Sequence, residues 1–342
     1  MTTAYVYDPI YLEHKIYGHP ESPERLLTTM RALEEAGVRA KLTRIEASPL
    51  AMEHLEAVHD GAYIEQVRRM AESGGGHLDL DTYLSPCSYE AALMAAGGLV
   101  CAVDAVLEGK ADNAFALVRP PGHHALPNRG MGFCLFNNVA IAARYALDQH
   151  GLDRVLIADF DVHHGNGTQE VFYHDSRVLY FSTHQYPHYP GTGYWREIGE
   201  GEGEGYTVNV PLPAGVGDEG YERIFGEILR PLAERYRPQL ILVSAGYDAH
   251  WADPLAAMRL SITGYAQLAR ALRSLADELC QGRLVFTLEG GYNLEVLSHS
   301  ILATFRVLLG EGDITDPLGP SPQPNRPIDE LIATIKGVHR LT

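Results

Sequence analysis

Four short apolar runs in this chain each end in a cluster of polar residues, and that repetition constrains the fold more than any other feature. Phe115-Ala116-Leu117-Val118 leads into Arg119-Pro120-Pro121-Gly122-His123-His124. Val155-Leu156-Ile157 leads into Ala158-Asp159-Phe160-Asp161-Val162-His163-His164-Gly165-Asn166-Gly167. Leu240-Ile241-Leu242-Val243 precedes Ser244-Ala245-Gly246-Tyr247-Asp248, and Leu284-Val285-Phe286-Thr287-Leu288 precedes Glu289-Gly290-Gly291-Tyr292-Asn293. Runs of this length and composition read as strands buried on both faces, the habit of parallel sheets. Ligands of such sheets bind outside the carboxyl ends of the strands. Four chemically equipped segments at four such ends should therefore meet in one crevice.

The remaining pattern supports an α/β chain. Further strands are predicted at Tyr5-Val6-Tyr7 and near 178–182 and 206–210. Helices are predicted over 24–33, 91–107, 137–147, 221–236, 265–279 and 294–308. Ser22 before Pro23 supplies a cap and a first-turn proline for the first helix. Strand and helix in alternation imply a central, mostly parallel sheet with helices on both faces. No shift in composition divides the chain, so residues 1–342 are expected to form a single domain. The Pro-rich segment 316–327 then reads as an excursion over its surface, leading into a last amphipathic helix over 328–338.

Charge and cysteine usage exclude several classes of function. The formal net charge of −17 opposes direct binding to nucleic acid or an anionic membrane. Cys87, Cys101, Cys134 and Cys280 show neither C-x-x-C nor framework spacing, so reduced thiols and a cytoplasmic location are expected. The first residues lack a basic region and an apolar core, which argues against a signal peptide. No apolar stretch is expected to approach the ~20 residues that a membrane span needs.

Asp161 and His163, one residue apart, can leave the same side of an extended backbone. A carboxylate and an imidazole presented together suit a divalent cation such as zinc, with Asp248 as the third ligand. Two carboxylates and one imidazole leave positions open for water and a substrate oxygen, the catalytic arrangement. The adjacent His123 and His124 can exchange protons near neutral pH, and Asp159 can orient one of them. Tyr292 follows two glycines, where a phenol can reach an oxyanion. Gly132, Phe133 and Tyr189 could wall a narrow channel.

Taken together, P-P-G-H-H at 120–124, G-F-C-x-F-N-N at 132–138, D-x-D-x-H-H-G-N-G at 159–167, S-A-G-Y-D at 244–248 and E-G-G-Y-N at 289–293 resemble the histone deacetylase superfamily. His19-Pro20-Glu21-Ser22-Pro23-Glu24-Arg25 and Asn166 look like its class II and bacterial histone deacetylase-like amidohydrolase branch. The resemblance implies an arginase-like α/β fold and a zinc-dependent amide hydrolase acting on acyl-lysine or a small acetylated amine. By the same resemblance, Asp161, His163 and Asp248 hold zinc, one ion per chain. His123 and His124 are the paired histidines, with His124 the base and acid, and Tyr292 polarises the carbonyl. Gly132, Phe133 and Tyr189 form the acyl-lysine tunnel. Asp159, Asp161, His163 and Ser182 bind a potassium ion, and Arg25 lies near an internal product channel.

Two positions depart from the wider superfamily. Asn166 stands where class I members place a carboxylate behind the second histidine, which should lower the pKa of the base. Tyr189 replaces the usual phenylalanine. Three rival readings stay open. An acetylpolyamine amidohydrolase would carry an acidic residue at the rim, where this chain has Leu255. A binuclear ureohydrolase needs D-x-H-x-D, and Gly165 takes the last place. A catalytically silent binder would have lost a ligand or the tyrosine.

Overall fold

The protein is described by a computed structural model over residues 2–342. Among the described residues ten strands occur in chain order: β1 (Thr3–Val6), β2 (Thr43–Ile45), β3 (Gly76–His77), β4 (Tyr83–Leu84), β5 (Asn113–Ala116), β6 (Val155–Asp159), β7 (Val178–Gln185), β8 (Thr207–Leu212), β9 (Leu240–Ala245) and β10 (Leu284–Leu288). Eight form one sheet in the order β2-β1-β5-β10-β9-β6-β7-β8, while β3 and β4 make a small separate hairpin. Every pairing within the eight-stranded sheet is parallel.

This order explains how the site is assembled. After β5 the chain skips ahead to lay down β6, β7 and β8, then returns so that β9 and β10 fill the gap. The four strands preceding the polar clusters, β5, β10, β9 and β6, thereby become neighbours. At about 4.8 Å per strand their carboxyl ends span only about 14 Å. Register keeps those ends level: Asp159 lies opposite Ser244, and Ala245 opposite Leu288. All residues of these four strands are buried. Helices cover both faces because a parallel crossover needs one.

The predicted helices form with adjusted ends: Glu24–Glu35, Ser88–Leu107, Asn138–Gln149, Ile262–Leu279, Leu294–Leu309 and Asp329–Val338. Ser22 does not cap the first of these; its carbonyl accepts from Arg25 N, and Pro23 occupies the cap position without a side-chain bond. The predicted 221–236 helix runs as Asp218–Ile224, a π-helical stretch Phe225–Leu229, and Arg230–Tyr236. The stretch falls just before Pro231, which has no N–H to donate back along the helix.

One expectation fails. The helix Ser88–Leu107 is long and apolar enough to cross a membrane, contrary to the sequence reading. It is a core helix: 67% of its most apolar window is buried in the protein, and Gly97 and Gly98 let it close on Ser48, Leu50 and Tyr11. The Pro-rich segment is tied to the body by Trp251 Nε1 to Gly319 O at 3.1 Å and Gly217 N to Asn325 Oδ1 at 2.7 Å. Helices Met52–Glu56, Gly61–Glu72 and Asn166–Phe172, with β2 and the β3–β4 hairpin, are additional to the predicted elements.

Candidate active site

Asp161 and His163 lie just past the end of β6, and Asp248 just past the end of β9. Their ligand atoms converge: His163 Nδ1 is 3.2 Å from Asp161 Oδ1 and 3.2 Å from Asp248 Oδ2. The remaining carboxylate oxygens are fixed by backbone amides. Gly290 N donates to Asp161 Oδ2 at 2.7 Å, and Val162 N to Asp248 Oδ1 at 3.0 Å. A side chain at position 290 would strike both carboxylates, so the first glycine of E-G-G-Y is a requirement of close approach. Asp248 Oδ2 is buried and has no hydrogen-bond partner among the described residues. A buried carboxylate oxygen without a hydrogen bond is costly unless a cation takes it. Tetrahedral zinc sites with bonds of about 2.0–2.1 Å have ligand-to-ligand edges of about 3.3 Å, close to the separations seen here. The donor set fits a divalent metal.

A second group, His123, Cys134 and Glu289, also brings three ligand types together. Its donors are already engaged. Glu289 accepts from Gly122 N at 2.7 Å, His123 N at 3.2 Å and Ser244 Oγ at 3.1 Å. Burial holds the Cys134 thiol well above its usual range, and therefore protonated. This group braces the histidine loop. Asp159 and Ser182 are register partners on β6 and β7, but their polar atoms are committed too. Asp159 meets His123, Tyr180 and Asp161 N, and Ser182 meets His184.

The pKa values of the two histidines are shifted in opposite directions. His123 Nδ1 lies 3.1 Å from Asp159 Oδ2. Burial alone would lower its pKa, but the carboxylates of Asp159, Asp161 and Glu289 outweigh it and push the imidazole up to about 10. His124 Nδ1 lies 2.8 Å from Asn166 Oδ1. Burial, reinforced by His123 and His163, drives its pKa well below the usual range. Asn166 thus orients His124 without supplying charge, as its amide predicts. Asn137 caps the helix Asn138–Gln149 and donates to Ala125 O at 3.2 Å, fixing the end of the histidine loop.

Tyr292 lies at the other side. Its ring meets Phe133 edge-on at 5.7 Å and lies 5.2 Å from the Arg25 guanidinium. Burial raises its hydroxyl well above the normal phenol range, so it remains a donor. Arg25, fully buried, donates to Gly291 O at 2.8 Å and to Glu289 O, and its charge is met by Glu21 at 3.0 Å. Glu21 also holds the buried Arg119 at the base of the histidine loop, and these two arginines keep the Glu21 carboxyl down at about 2 despite burial.

Gly132 and Phe133 both adopt positive φ, and a Cβ on Gly132 would meet the ring of His124. Tyr189 stands edge-on to His124 at 5.1 Å and remains 36% exposed, so it flanks the site from the solvent side. Leu255 sits on the adjoining loop, where His188 Nε2 meets its carbonyl at 3.0 Å. His188 in turn stacks on His163 at 5.2 Å.

Sequence reasoning missed the rim formed by the β3–β4 hairpin. Thr82 Oγ1 accepts from Phe133 N at 3.1 Å, and His19 bridges to Asp81 O and to the Phe133 ring. The hairpin carries Asp79 and Asp81 close enough that their charges act on the Tyr189 hydroxyl. The alternation Asp79-Leu80-Asp81 after the glycine run 74–76 was the only signal. Asp253, which accepts from Tyr292 N, was also missed as a functional residue, although its near neighbour Leu255 was singled out.

Two carboxylates and an imidazole around one point, beside a neutral oriented imidazole and a protonated phenol, define a hydrolase site. Comparison with known proteins narrows the class. The histone deacetylase domain matches residues 19–308. A probable deacetylase of Archaeoglobus fulgidus is 46% identical over 314 residues, 91% of this chain and 87% of that protein. A histone deacetylase-like amidohydrolase of Pseudomonas aeruginosa is 42% identical over 305 residues, 88% of this chain and 80% of that protein. The solved HD domain of HDA15 superposes with a TM-score of 0.90 at 37% identity, covering 99% of this chain and 94% of that one. The chain belongs to the histone deacetylase family, with the deacetylase-like α/β arrangement that the motifs imply.

Proposed function

We propose that the protein is a zinc-dependent amidohydrolase that removes acetyl or short acyl groups from the side-chain amine of acyl-lysine. The observation that carries this reading is the convergence of Asp161, His163 and Asp248, with Asp248 Oδ2 buried 3.2 Å from His163 Nδ1 and the neutral His124 close by. Asp161, His163 and Asp248 would hold the zinc, which when bound supplies Lewis-acid polarisation of the amide carbonyl and acidification of water. In the reaction the Tyr292 phenol donates to the carbonyl oxygen and to the oxyanion that replaces it. His124, uncharged, accepts a proton from the attacking water as the new C–O bond forms. It returns that proton to the amine nitrogen as the C–N bond breaks, releasing acetate and the free amine. His123, cationic against Asp159, adds fixed positive charge beside the developing oxyanion. A potassium ion at Asp159, Asp161, His163 and Ser182 belongs to the same reading, and with the Asp159 and Ser182 side chains committed it would have to take their main-chain carbonyls; a cytoplasmic location belongs to it too.

A second reading, an acetylpolyamine amidohydrolase, is favoured by Asp79 and Asp81 on the rim hairpin, which could meet a dicationic substrate. Leu255 weighs against it, because the rim position nearest His188 lacks charge. The deciding experiment compares kcat/KM of the zinc-loaded protein on an acetyl-lysine peptide and on acetylspermidine. Faster turnover of the peptide is expected. Faster turnover of acetylspermidine would transfer the assignment to polyamine chemistry.

A further inference from the structure

Asp253 is a buried carboxylate that serves two loops at once. Its Oδ2 accepts from Tyr292 N at 2.8 Å and from Asn293 N at 3.1 Å, across about forty residues of chain. Its Oδ1 accepts from Leu255 N at 3.0 Å. The residue is 6% exposed, and among the described residues the groups that act on it are Asp248 and the backbone amides of Leu255, Tyr292 and Asn293, with no lysine or arginine. A buried carboxylate satisfied only by backbone amides is an expensive way to close a loop, and such departures from cheap packing concentrate at functional sites. The same loop is sewn to the tyrosine segment once more, by Asn293 Nδ2 donating to Ala252 O at 3.0 Å.

The other bonds holding the E-G-G-Y segment stop short of the tyrosine. Asp161 takes Gly290 N, and Arg25 takes the carbonyls of Glu289 and Gly291. Tyr292 itself follows Gly291 at φ 115°, a region that glycine enters readily and other residues rarely, so no side chain at 291 helps to hold the tyrosine. Asp253 is the group that takes the tyrosine's own backbone N–H.

We infer that Asp253 is the positioning residue for Tyr292, clamping its backbone so that the phenol meets the substrate oxygen, and that it ties this position to the rim at Leu255. The inference rests on the reading of Tyr292 as the oxyanion donor. An asparagine at 253 replaces one accepting oxygen with an NH2 group. In either orientation that group faces at least one backbone N–H, so the clamp opens while the bulk is kept.

The test is a double-variant cycle on the zinc-loaded protein: wild type, D253N, Y292F and the pair together, with Tm and metal content checking that each is folded. In D253N, kcat and kcat/KM should fall together by about 10- to 100-fold, the cost of misplacing a group by about 1 Å, with KM changed less than about threefold. The pair should be no more than about twofold slower than Y292F alone, because a misplaced tyrosine and a missing hydroxyl remove the same contact. If D253N does not fold, D253S, whose hydroxyl keeps one acceptor, is read in the same cycle. Wild-type kcat in the folded Asp253 variant, or losses that multiply in the pair, would overturn the inference and leave the tyrosine's role intact. Wild-type kcat in Y292F would overturn the tyrosine reading and the inference with it.

Discussion

At the floor of the crevice the ligand-bearing and proton-handling side chains lie within about nine residues of the end of a sheet strand, whereas the rim is assembled from three loops that share no strand. The floor draws on the ends of β5, β6, β9 and β10, which lie side by side and level. Its carboxylates are anchored by backbone amides such as Gly290 N and Val162 N. The rim joins the β3–β4 hairpin, the segment carrying His188 and Tyr189, and the loop through Leu255. Floor geometry is set by the sheet and fixes the chemistry. Rim geometry is set by loop-to-loop bonds and should govern which amine is admitted.

If that division is right, floor substitutions act on kcat and rim substitutions on selectivity. The largest effect is expected for His124→Ala, which removes the neutral base: kcat should drop about 10²- to 10⁴-fold while KM for the peptide stays within about threefold. Steady-state kinetics on the acetyl-lysine peptide measure it. A loss confined to KM would move His124 from the chemistry to binding.

Asn166→Asp sharpens the same half of the comparison. His124 is held neutral by burial and by the neighbouring His123 and His163, and its protonated form has no carboxylate behind it. A carboxylate at 166 stabilises the imidazolium, so the base is lost at higher pH. The acid limb of kcat/KM should move up by about one unit or more. A pH profile with an unmoved acid limb would show that His124 is not the titrating base.

At the rim, Leu255→Glu should raise the ratio of kcat/KM for acetylspermidine over the peptide about fivefold, the worth of about 1 kcal/mol for a partly exposed charge pair. The effect should shrink as salt is added. An equal change on both substrates would mean that Leu255 does not face the bound amine.

The same division separates what could be read in the sequence from what could not. Asp161, His163, Asp248, His123, His124 and Tyr292 were legible because each follows an apolar run or a glycine turn within a few residues, and strand ends of a parallel sheet share one edge. That an amide, Asn166, would stand behind His124 followed from the resemblance alone, and the contact is present. Asp79, Asp81 and Thr82 were not, because their hairpin reaches Phe133 only through the fold. The anchoring of Tyr292 by Asp253 was hidden for another reason: it runs through backbone amides, which leave no trace in side-chain identity. The apolar helix Ser88–Leu107 was misjudged because Glu90 and Asp104 near its ends masked an otherwise continuous apolar length.

The most direct test of the central claim is a metal titration of the metal-free protein, following zinc bound per chain alongside acetate released from an acetyl-lysine peptide. One zinc per chain should restore turnover in proportion to occupancy, and Asp161→Ala should lose both the tight binding and the activity. Two metals per chain at full activity, or peptide hydrolysis that persists without any metal, would contradict a mononuclear site built on Asp161, His163 and Asp248.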